Sequence, residues 1–173
     1  MARSGTGSRR KGYDFEREIC RMLSNWSGES FRRRGTGFDG ADIICPPWWP
    51  WSIEAKKDES WSGVEDLLRP GSSLSRWWKQ ATVQAGLLGK EPMLVWCRNR
   101  SPVWCAMDWN YFRRYGSFLG AIRPSGIVTE TFLEEGPSHR IRVHEFSELL
   151  DWMDPELLRE SIGGLRENPE KRS

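Results

Sequence analysis

Acidic and basic side chains stand close together in two short segments of the chain. Glu54 and Lys56 are two residues apart in the alternating segment 51–57, and Asp42 comes just before the β-branched pair Ile43 and Ile44. Alternate residues of a strand share a face and lie about 7 Å apart, so Glu54 and Lys56 can point at one site. Asp42, on a neighbouring strand, can reach the same site. The spacing therefore predicts a cluster of two carboxylates and one amine.

This cluster fits metal-assisted chemistry on a phosphate group. Asp42, Glu54 and the main-chain carbonyl of Ala55 are the hard oxygen ligands that Mg²⁺ prefers, and they leave coordination positions for water and a phosphate oxygen. Such an ion polarises a phosphodiester and lowers the pKa of the attacking water. Lys56 would lie beside that water or beside the charge that develops on the phosphate. Asp39 is an alternative ligand, but it lies among the glycines of a loop, whereas Asp42 leads directly into a strand. We therefore predict Asp42, Glu54 and Ala55 as metal ligands and Lys56 as a catalytic residue.

An α/β fold must position these residues. A helix from Tyr13 to Trp26 is predicted by five apolar residues at helical spacing. The other predicted elements are strands at 30–34, 41–45, 51–57, 93–97 and 103–107, a helix at 74–88, helical turns at 64–68 and 108–114, a hairpin of 127–132 with 140–144, and acidic helices within 146–162. This order predicts one domain with a central mixed sheet flanked by helices.

Length and composition exclude several classes of protein. The chain has 173 residues, of which 38% are apolar and 29% charged, as in ordinary globular domains. No uncharged apolar run reaches the roughly 18 residues of a membrane span, and the basic N-terminus has no apolar region of a secretory signal. The four cysteines form no CxxC pair, and neither histidine lies at zinc-ligand spacing from them. We expect a cytoplasmic protein with reduced thiols and no membrane partner.

Charge is unevenly distributed, although the net charge is only +2. Residues 1–36 hold nine Lys and Arg against four Asp and Glu, whereas residues 145–173 hold four against eight. This asymmetry predicts that the basic N-terminal segment binds a polyanion. The candidate nucleic-acid contacts are Arg9, Arg10, Lys11, Arg32, Arg33, Arg34, Thr36, Lys57 and Gln80. Strand alternation must turn one of the three consecutive arginines inward, and Gln80 is equally well explained as a solvated helix residue.

Three segments carry a resemblance to a known family: KGYDFERE at 11–18, RRRGTGFDGADII at 32–44 and SIEAKK at 52–57. They resemble the archaeal-type Holliday junction resolvases and their phage relatives, within the PD-(D/E)XK nuclease superfamily. The resemblance covers roughly residues 9–97 and is much weaker after residue 98. It implies a restriction-endonuclease-like fold, a requirement for Mg²⁺ with Mn²⁺ able to substitute, homodimerisation and cleavage of branched DNA.

The resemblance also assigns site residues. It places the acidic residue of the first helix at Glu16, the motif aspartate at Asp42, and the E-x-K pair at Glu54 and Lys56. Helical periodicity alone does not distinguish Glu16 from Glu18, because both flank the apolar stripe; only the resemblance selects Glu16. The chain departs from the motif by having alanine at position 41 where the superfamily name has proline.

These observations together predict a Mg²⁺-dependent endonuclease that cuts four-way DNA junctions as a homodimer. The alternatives are another nuclease of this superfamily, acting on flaps, ends or duplex DNA, and a non-catalytic nucleic-acid-binding module of the same fold. The expected organisation is a flexible basic N-terminus at 1–10, a nuclease domain at 11–163 and a flexible tail at 164–173, in the host cytoplasm for a phage-encoded chain. The 11 tryptophans exceed the need of one small core. We therefore expect some of them to be exposed at a dimer interface or to stack on unpaired bases, with these as candidates: Trp48, Trp49, Trp51, Trp61, Trp77 and Trp78.

Overall fold

The computed structural model describes residues 5–35, 40–108, 127–131 and 139–167 of the chain. In chain order, the elements are α1 (Gly5–Ser27), β1 (Arg32–Arg33), β2 (Ile43–Ile44), β3 (Trp51–Lys57), the 3₁₀ helix η1 (Val64–Leu68), α2 (Ser73–Leu87), β4 (Glu91–Cys97), β5 (Trp104–Asp108), β6 (Ile127–Thr131), β7 (His139–Glu145), α3 (Phe146–Trp152) and α4 (Pro155–Glu167). The predicted order of helices and strands is confirmed over these residues.

The main sheet is mixed and has β3 at one edge. Its strand order within the described residues is β3-β4-β5-β7-β6. Strands β3 and β4 are parallel and are joined through α2, whereas the other neighbouring pairs are antiparallel. Strands β1 and β2 form a separate antiparallel ribbon in which Arg33 pairs with Ile43. A central mixed sheet flanked by helices, as predicted, is the arrangement of a restriction-endonuclease-like fold.

The two faces of the sheet bury different cores. Ile53 and Ala55 of β3 pack in the core that contains the apolar face of α1, whereas Leu94 of β4 packs in the core beneath α2. Because side chains alternate along a strand, Glu54 and Lys56 point to the α2 side of the sheet. Glu54 is in register with Leu94, in agreement with this assignment. The prediction that β3 has one apolar and one chemical face is confirmed.

Most of the tryptophans expected to be exposed are instead part of the core. Trp49 and Trp51 are 0% and 1% exposed, and Trp61 and Trp78 are also buried. Trp49 lies in the turn before β3, where its ring packs edge-to-face on Phe31 at a centroid distance of 5.2 Å. The expectation is therefore wrong for these four residues. Trp49 and Trp51 pack in the core on the α1 side of the sheet, and Trp61 and Trp78 pack in the core beneath α2. Two other candidates are half-buried: Trp48 and Trp77.

The first residues of α1 and α2 differ from the predicted ones. Helix α1 begins at Gly5, before the predicted start at Tyr13. The prediction missed the first two turns because they are polar and show no apolar periodicity. Helix α2 begins one residue before the predicted start, since the Ser72 hydroxyl accepts a hydrogen bond from the Ser75 N–H at 3.1 Å and caps the helix. The helical turn predicted at 108–114 lies outside the described residues except for Asp108, which ends β5.

The cysteines are unpaired thiols, as expected. Burial raises the pKa of Cys20 and of Cys97 to about 11 and that of Cys45 to about 12. These thiols therefore stay protonated at neutral pH and are poor nucleophiles. Among the helices of the described residues, none combines the length and the apolar character that crossing a bilayer requires.

Candidate active site

Asp42 is held by three hydrogen bonds, two of them to the edge strand β3 and one to Arg34. Its backbone N–H donates to the Ile53 carbonyl at 3.2 Å, and its carbonyl accepts from the Arg34 N–H at 2.8 Å. Its side-chain Oδ2 accepts from the backbone N–H of Ala55 at 2.9 Å. The carboxylate is thus fixed at the point where the β1–β2 ribbon meets the edge of the main sheet, and its Oδ1 remains for another partner.

The carbonyl of Ala55 lies on the same edge of β3. In an extended strand the N–H and C=O of one residue point to the same side. The Ala55 N–H points to the Asp42 carboxylate, so the Ala55 carbonyl also faces that side, away from β4. The two groups predicted as metal ligands at this position are therefore neighbours.

Glu54 and Lys56 form an ion pair on the α2 side of β3. The Glu54 side chain is 1% exposed, whereas that of Lys56 is 27% exposed and reaches solvent. Burial and, after it, the Asp42 carboxylate raise the pKa of Glu54 to about 7, against the opposing effect of Lys56. The buried Oε2 atom of Glu54 has no hydrogen-bond partner among the described residues. The Glu54 carboxylate therefore lacks a hydrogen-bond donor at Oε2, and Lys56 compensates its negative charge only in part.

These groups fit a hard divalent cation. A buried carboxylate oxygen without a partner is unfavourable unless something else satisfies it. Two carboxylates and a carbonyl are a donor set that Mg²⁺ accepts together with water and a phosphate oxygen. In the part of the chain that the structure describes, no three or more His, Cys, Asp and Glu side chains are grouped to hold a metal. The groups that would hold such an ion are the Asp42 and Glu54 carboxylates and the Ala55 carbonyl, and water and substrate would occupy the remaining positions.

The structure places Glu16, and not Glu18, at this site. The Glu16 side chain is 14% exposed and forms an ion pair with Arg33, with 3.0 Å between Oε2 and Nε. Burial raises the pKa of Glu16, and Asp42 raises it further, while Arg33 and Lys56 lower it. Glu18 is exposed on α1 and lines a surface groove with Arg17 and Arg21. The tertiary fold thus separates two residues that helical periodicity left equivalent.

The three consecutive arginines have different environments. Arg32 is exposed. Arg33 is paired with Glu16, and its guanidinium lies over the ring of Tyr13. Arg34 donates from Nε to the Ala41 carbonyl at 2.9 Å and so spans the base of the loop that precedes Asp42. More than the one arginine required by alternation is therefore turned inward.

The remaining candidate contacts differ in exposure. Lys57 is half-buried, with its Nζ 5.9 Å from the centroid of the Phe15 ring. Gln80 is exposed on α2, and Arg10 and Lys11 are exposed on α1. Arg9 belongs to α1, but its side chain is outside the described part of the structure. Thr36 and the alternative ligand Asp39 also lie outside the described residues.

Two residues near the site were missed by reasoning from sequence. Tyr13 lies three residues before Glu16 on α1 and stacks on Arg33 at 4.1 Å, and its helical spacing from Glu16 is the signal that indicates it. Gly40 has a φ of 120°, a conformation that favours glycine. The position of Gly40 two residues before Asp42, at the end of a glycine-rich loop, was the available signal.

The fold and this site define a class of protein. A mixed α/β sheet with an aspartate at the head of one strand and a Glu-x-Lys pair on the next is the arrangement of PD-(D/E)XK nucleases. A family model described as "Phage putative PDDEXK endonuclease" matches residues 7–115, which is more than half of the chain. The chain therefore belongs to this phage PDDEXK endonuclease family and is a nuclease of the PD-(D/E)XK type. No curated protein and no solved structure matches it.

Proposed function

We propose that this protein is a Mg²⁺-dependent DNA endonuclease that cuts four-way junctions as a homodimer. The observation that carries the catalytic part is the position of Asp42, which the Ala55 N–H holds beside the buried Glu54 and its partner Lys56. A protein that only bound nucleic acid would gain nothing from two carboxylates facing a phosphate, because like charges repel.

The metal would supply the electrophilic part of the chemistry. When bound by Asp42, Glu54 and the Ala55 carbonyl, Mg²⁺ polarises the phosphodiester and acidifies the attacking water. Asp42 is preoriented for this role by its hydrogen bond to Ala55. Glu54 offers the oxygen that lacks a donor.

Lys56 supports the reaction from the solvent side of the site. Its ammonium group is partly exposed and ion-paired with Glu54, so it can also approach a substrate phosphate. A fixed positive charge near the scissile group stabilises the charge that develops in the transition state. Glu16 adds a third carboxylate close enough to Asp42 and Lys56 to interact with both.

The proposed substrate rests on the sequence resemblance and on the exposed basic side chains. Segments 11–18, 32–44 and 52–57 resemble junction resolvases. Arg10, Lys11 and Arg32 are exposed and available to phosphates on either side of the scissile bond. Two symmetric incisions are needed to resolve a junction, and one chain offers one site, so a two-fold dimer is the economical assembly.

A cleavage assay on matched substrates tests this proposal. End-labelled four-way, flap and linear DNAs of the same sequence are incubated with the protein in Mg²⁺, in Mn²⁺ and in EDTA, with Asp42→Asn as the inactive control. We expect paired, symmetric cuts in the junction with either metal and no cutting in EDTA.

Other products would lead to different conclusions. Faster cutting of flaps or linear ends would show that these DNAs, and not four-way junctions, are the preferred substrate. The proposed nuclease chemistry would still hold. Tight binding of junctions without cutting under any metal condition would favour the non-catalytic module.

A further inference from the structure

The Arg33 guanidinium is held on three sides. Its centre lies 4.1 Å from the centroid of the Tyr13 ring, and its Nε is 3.0 Å from Oε2 of Glu16. Its Nη1 donates to the Arg34 carbonyl at 3.1 Å. The side chain is only 19% exposed. A cation with this many neighbours has little freedom to move towards a ligand.

The contacts of Arg33 join the two segments that carry acidic site residues. Tyr13 and Glu16 are three residues apart on α1 and therefore face the same way. Arg33 belongs to β1 and pairs with Ile43, the residue that follows Asp42. The guanidinium thus connects the helix that carries Glu16 to the ribbon that carries Asp42.

A role as a phosphate contact fits Arg33 poorly. Moving the guanidinium to a DNA phosphate would remove the cationic partner of Glu16, whose side chain is 14% exposed. An acid left without its partner in such surroundings is strongly disfavoured. The neighbouring Arg32 is exposed and has no such constraint.

We propose that Arg33, braced against the ring of Tyr13, is a positioning residue that holds the Glu16 carboxylate beside Asp42. This inference rests on the proposed nuclease function of the site. The planar guanidinium can stack on a ring and engage a carboxylate at the same time, which a lysine ammonium cannot do with the same geometry. Arg33→Lys is therefore not a conservative change.

The test separates the cleavage rate from DNA affinity. Arg33→Met, Arg33→Lys, Tyr13→Leu and Tyr13→Phe are compared with Arg69→Met, which removes an arginine paired with Asp66 away from the site. Single-turnover cleavage is measured at saturating DNA with Mg²⁺, and the Kd for the same DNA is measured in EDTA across a salt series.

We expect Arg33→Met to lower the cleavage rate at least about 10-fold with Kd and its salt slope unchanged within about twofold, because an interaction lost only in the reacting complex lowers turnover. Tyr13→Leu should lose rate in the same direction, and Tyr13→Phe should restore it because the ring is kept. A loss of affinity with a salt slope flatter by about 0.9 and an unchanged rate would make Arg33 a phosphate contact and overturn the proposal.

A double-mutant cycle tests whether Arg33 acts through Glu16. In a Glu16→Gln background, Arg33→Met should cause no further loss of rate, whereas independent, multiplying losses would contradict positioning. If Arg33→Met does not fold, the comparison of Tyr13→Leu with Tyr13→Phe in both backgrounds decides the question.

The inference can also be judged if the proposed function fails. A parent protein that cuts none of the DNAs would refute that function. The coupling of Arg33 to Glu16 would then be measured by urea unfolding, with at least about threefold non-additivity in the unfolding equilibrium constant expected. Additive effects there would refute the Arg33–Glu16 contact itself.

Discussion

Glu54 combines deep burial with a shortage of hydrogen-bond donors. Among the described residues, Lys56 is the ion-pair partner of Glu54, while Asp42 and Glu16 add negative charge nearby. In the protein without metal, the raised pKa lets the carboxyl group keep its proton at a higher pH than an ordinary glutamate does. This is the state from which a divalent cation would displace the proton.

The raised pKa of Glu54 predicts how stability depends on pH in the absence of metal. The folded pKa of about 7 lies above the ordinary value of 4.5, so between these values the folded chain holds a proton that the unfolded chain has lost. Stability should therefore fall as pH rises through this window and level off above it, by at most about 3 kcal/mol.

The variant Glu54→Gln lacks this titration and should be more stable than the parent at about pH 8. Urea unfolding in EDTA across the window measures the effect, with Glu18→Gln, an exposed acid on α1, as the control that should follow the parent curve. Parallel curves for the parent and Glu54→Gln would show that Glu54 is ionised in the folded protein throughout.

Removal of either carboxylate should separate binding from cleavage. We expect Asp42→Asn and Glu54→Gln to abolish cutting in Mg²⁺ while binding branched DNA as tightly as the parent or more tightly, since each change removes repulsion with phosphate. Lys56→Ala should bind DNA and cut at least about 10²-fold more slowly. Gel-shift and single-turnover assays on one four-way DNA measure both properties, and normal turnover by either carboxylate variant would remove that residue from the site.

At the scale of the secondary-structure element, the residues next to Asp42 before β2 fix its position. Gly40 has a φ of 120°, and a Cβ there would lie 3.5 Å from the Arg34 guanidinium carbon. Arg34 bonds the Ala41 carbonyl with its side chain and the Asp42 carbonyl with its backbone N–H. A side chain at position 40 would be strained at this φ, two residues before Asp42 and beside the residue that bonds it.

The variant Gly40→Ala should lose stability and cleavage together. The control is Gly28→Ala, since Gly28 also has a positive φ, of 71°, and follows α1. Each change should destabilise the chain by about 1 to 2 kcal/mol, but only Gly40→Ala should also lower the cleavage rate, by about 10-fold or more. Thermal unfolding and single-turnover assays distinguish the two, and equal activity of both variants would show that the loop conformation does not matter to Asp42.

The two arginines of strand β1 face different surroundings: Arg33 faces the site and Arg32 faces solvent. Arg32 is exposed, so Arg32→Ala should weaken DNA binding and flatten the dependence of log Kd on log salt by about 0.9. A fluorescence-anisotropy titration across a salt series measures this slope. An unchanged slope would take Arg32 out of the interface. A triple arginine variant is a poorer test, because Arg33 and Arg34 make contacts within the chain.

At the scale of the whole molecule, the buried tryptophans leave the proposed dimer only Trp48 and Trp77 of its expected aromatic surface. Trp49, Trp51 and Trp78 are used inside one chain, so any interface must be formed by other residues. The need for two symmetric incisions nevertheless predicts a dimer. Sedimentation at micromolar concentration should show a species of about 40 kDa, twice the 20.1 kDa of one chain. A chain that stays monomeric even on four-way DNA would refute the dimer and favour a flap or end-processing nuclease.

Much of the fold was predictable because its signals are local. The period of two in segment 51–57 predicted that Glu54 and Lys56 share a face, and β3 confirms it. The apolar spacing of α1 and the turns between the strands were equally visible. The polar start of α1 was not, because nothing in the local pattern marks it, and the conformation of Gly40 was indicated only by its place at the end of a glycine-rich loop.

The sequence by itself determined the kinds of elements, their order, and the pairing of an acid with a lysine on one strand, because helical and strand periodicities depend only on near neighbours. Helical periodicity left Glu16 and Glu18 equivalent and only the family resemblance selected Glu16; the tertiary structure placed Glu16 at the site, turned Arg33 and Arg34 inward, and buried Trp49. Each of these outcomes depends on which distant segment covers a side chain. The folded β1–β2 ribbon brings Arg33 to Glu16, and only that long-range contact makes one acid of α1 part of the site.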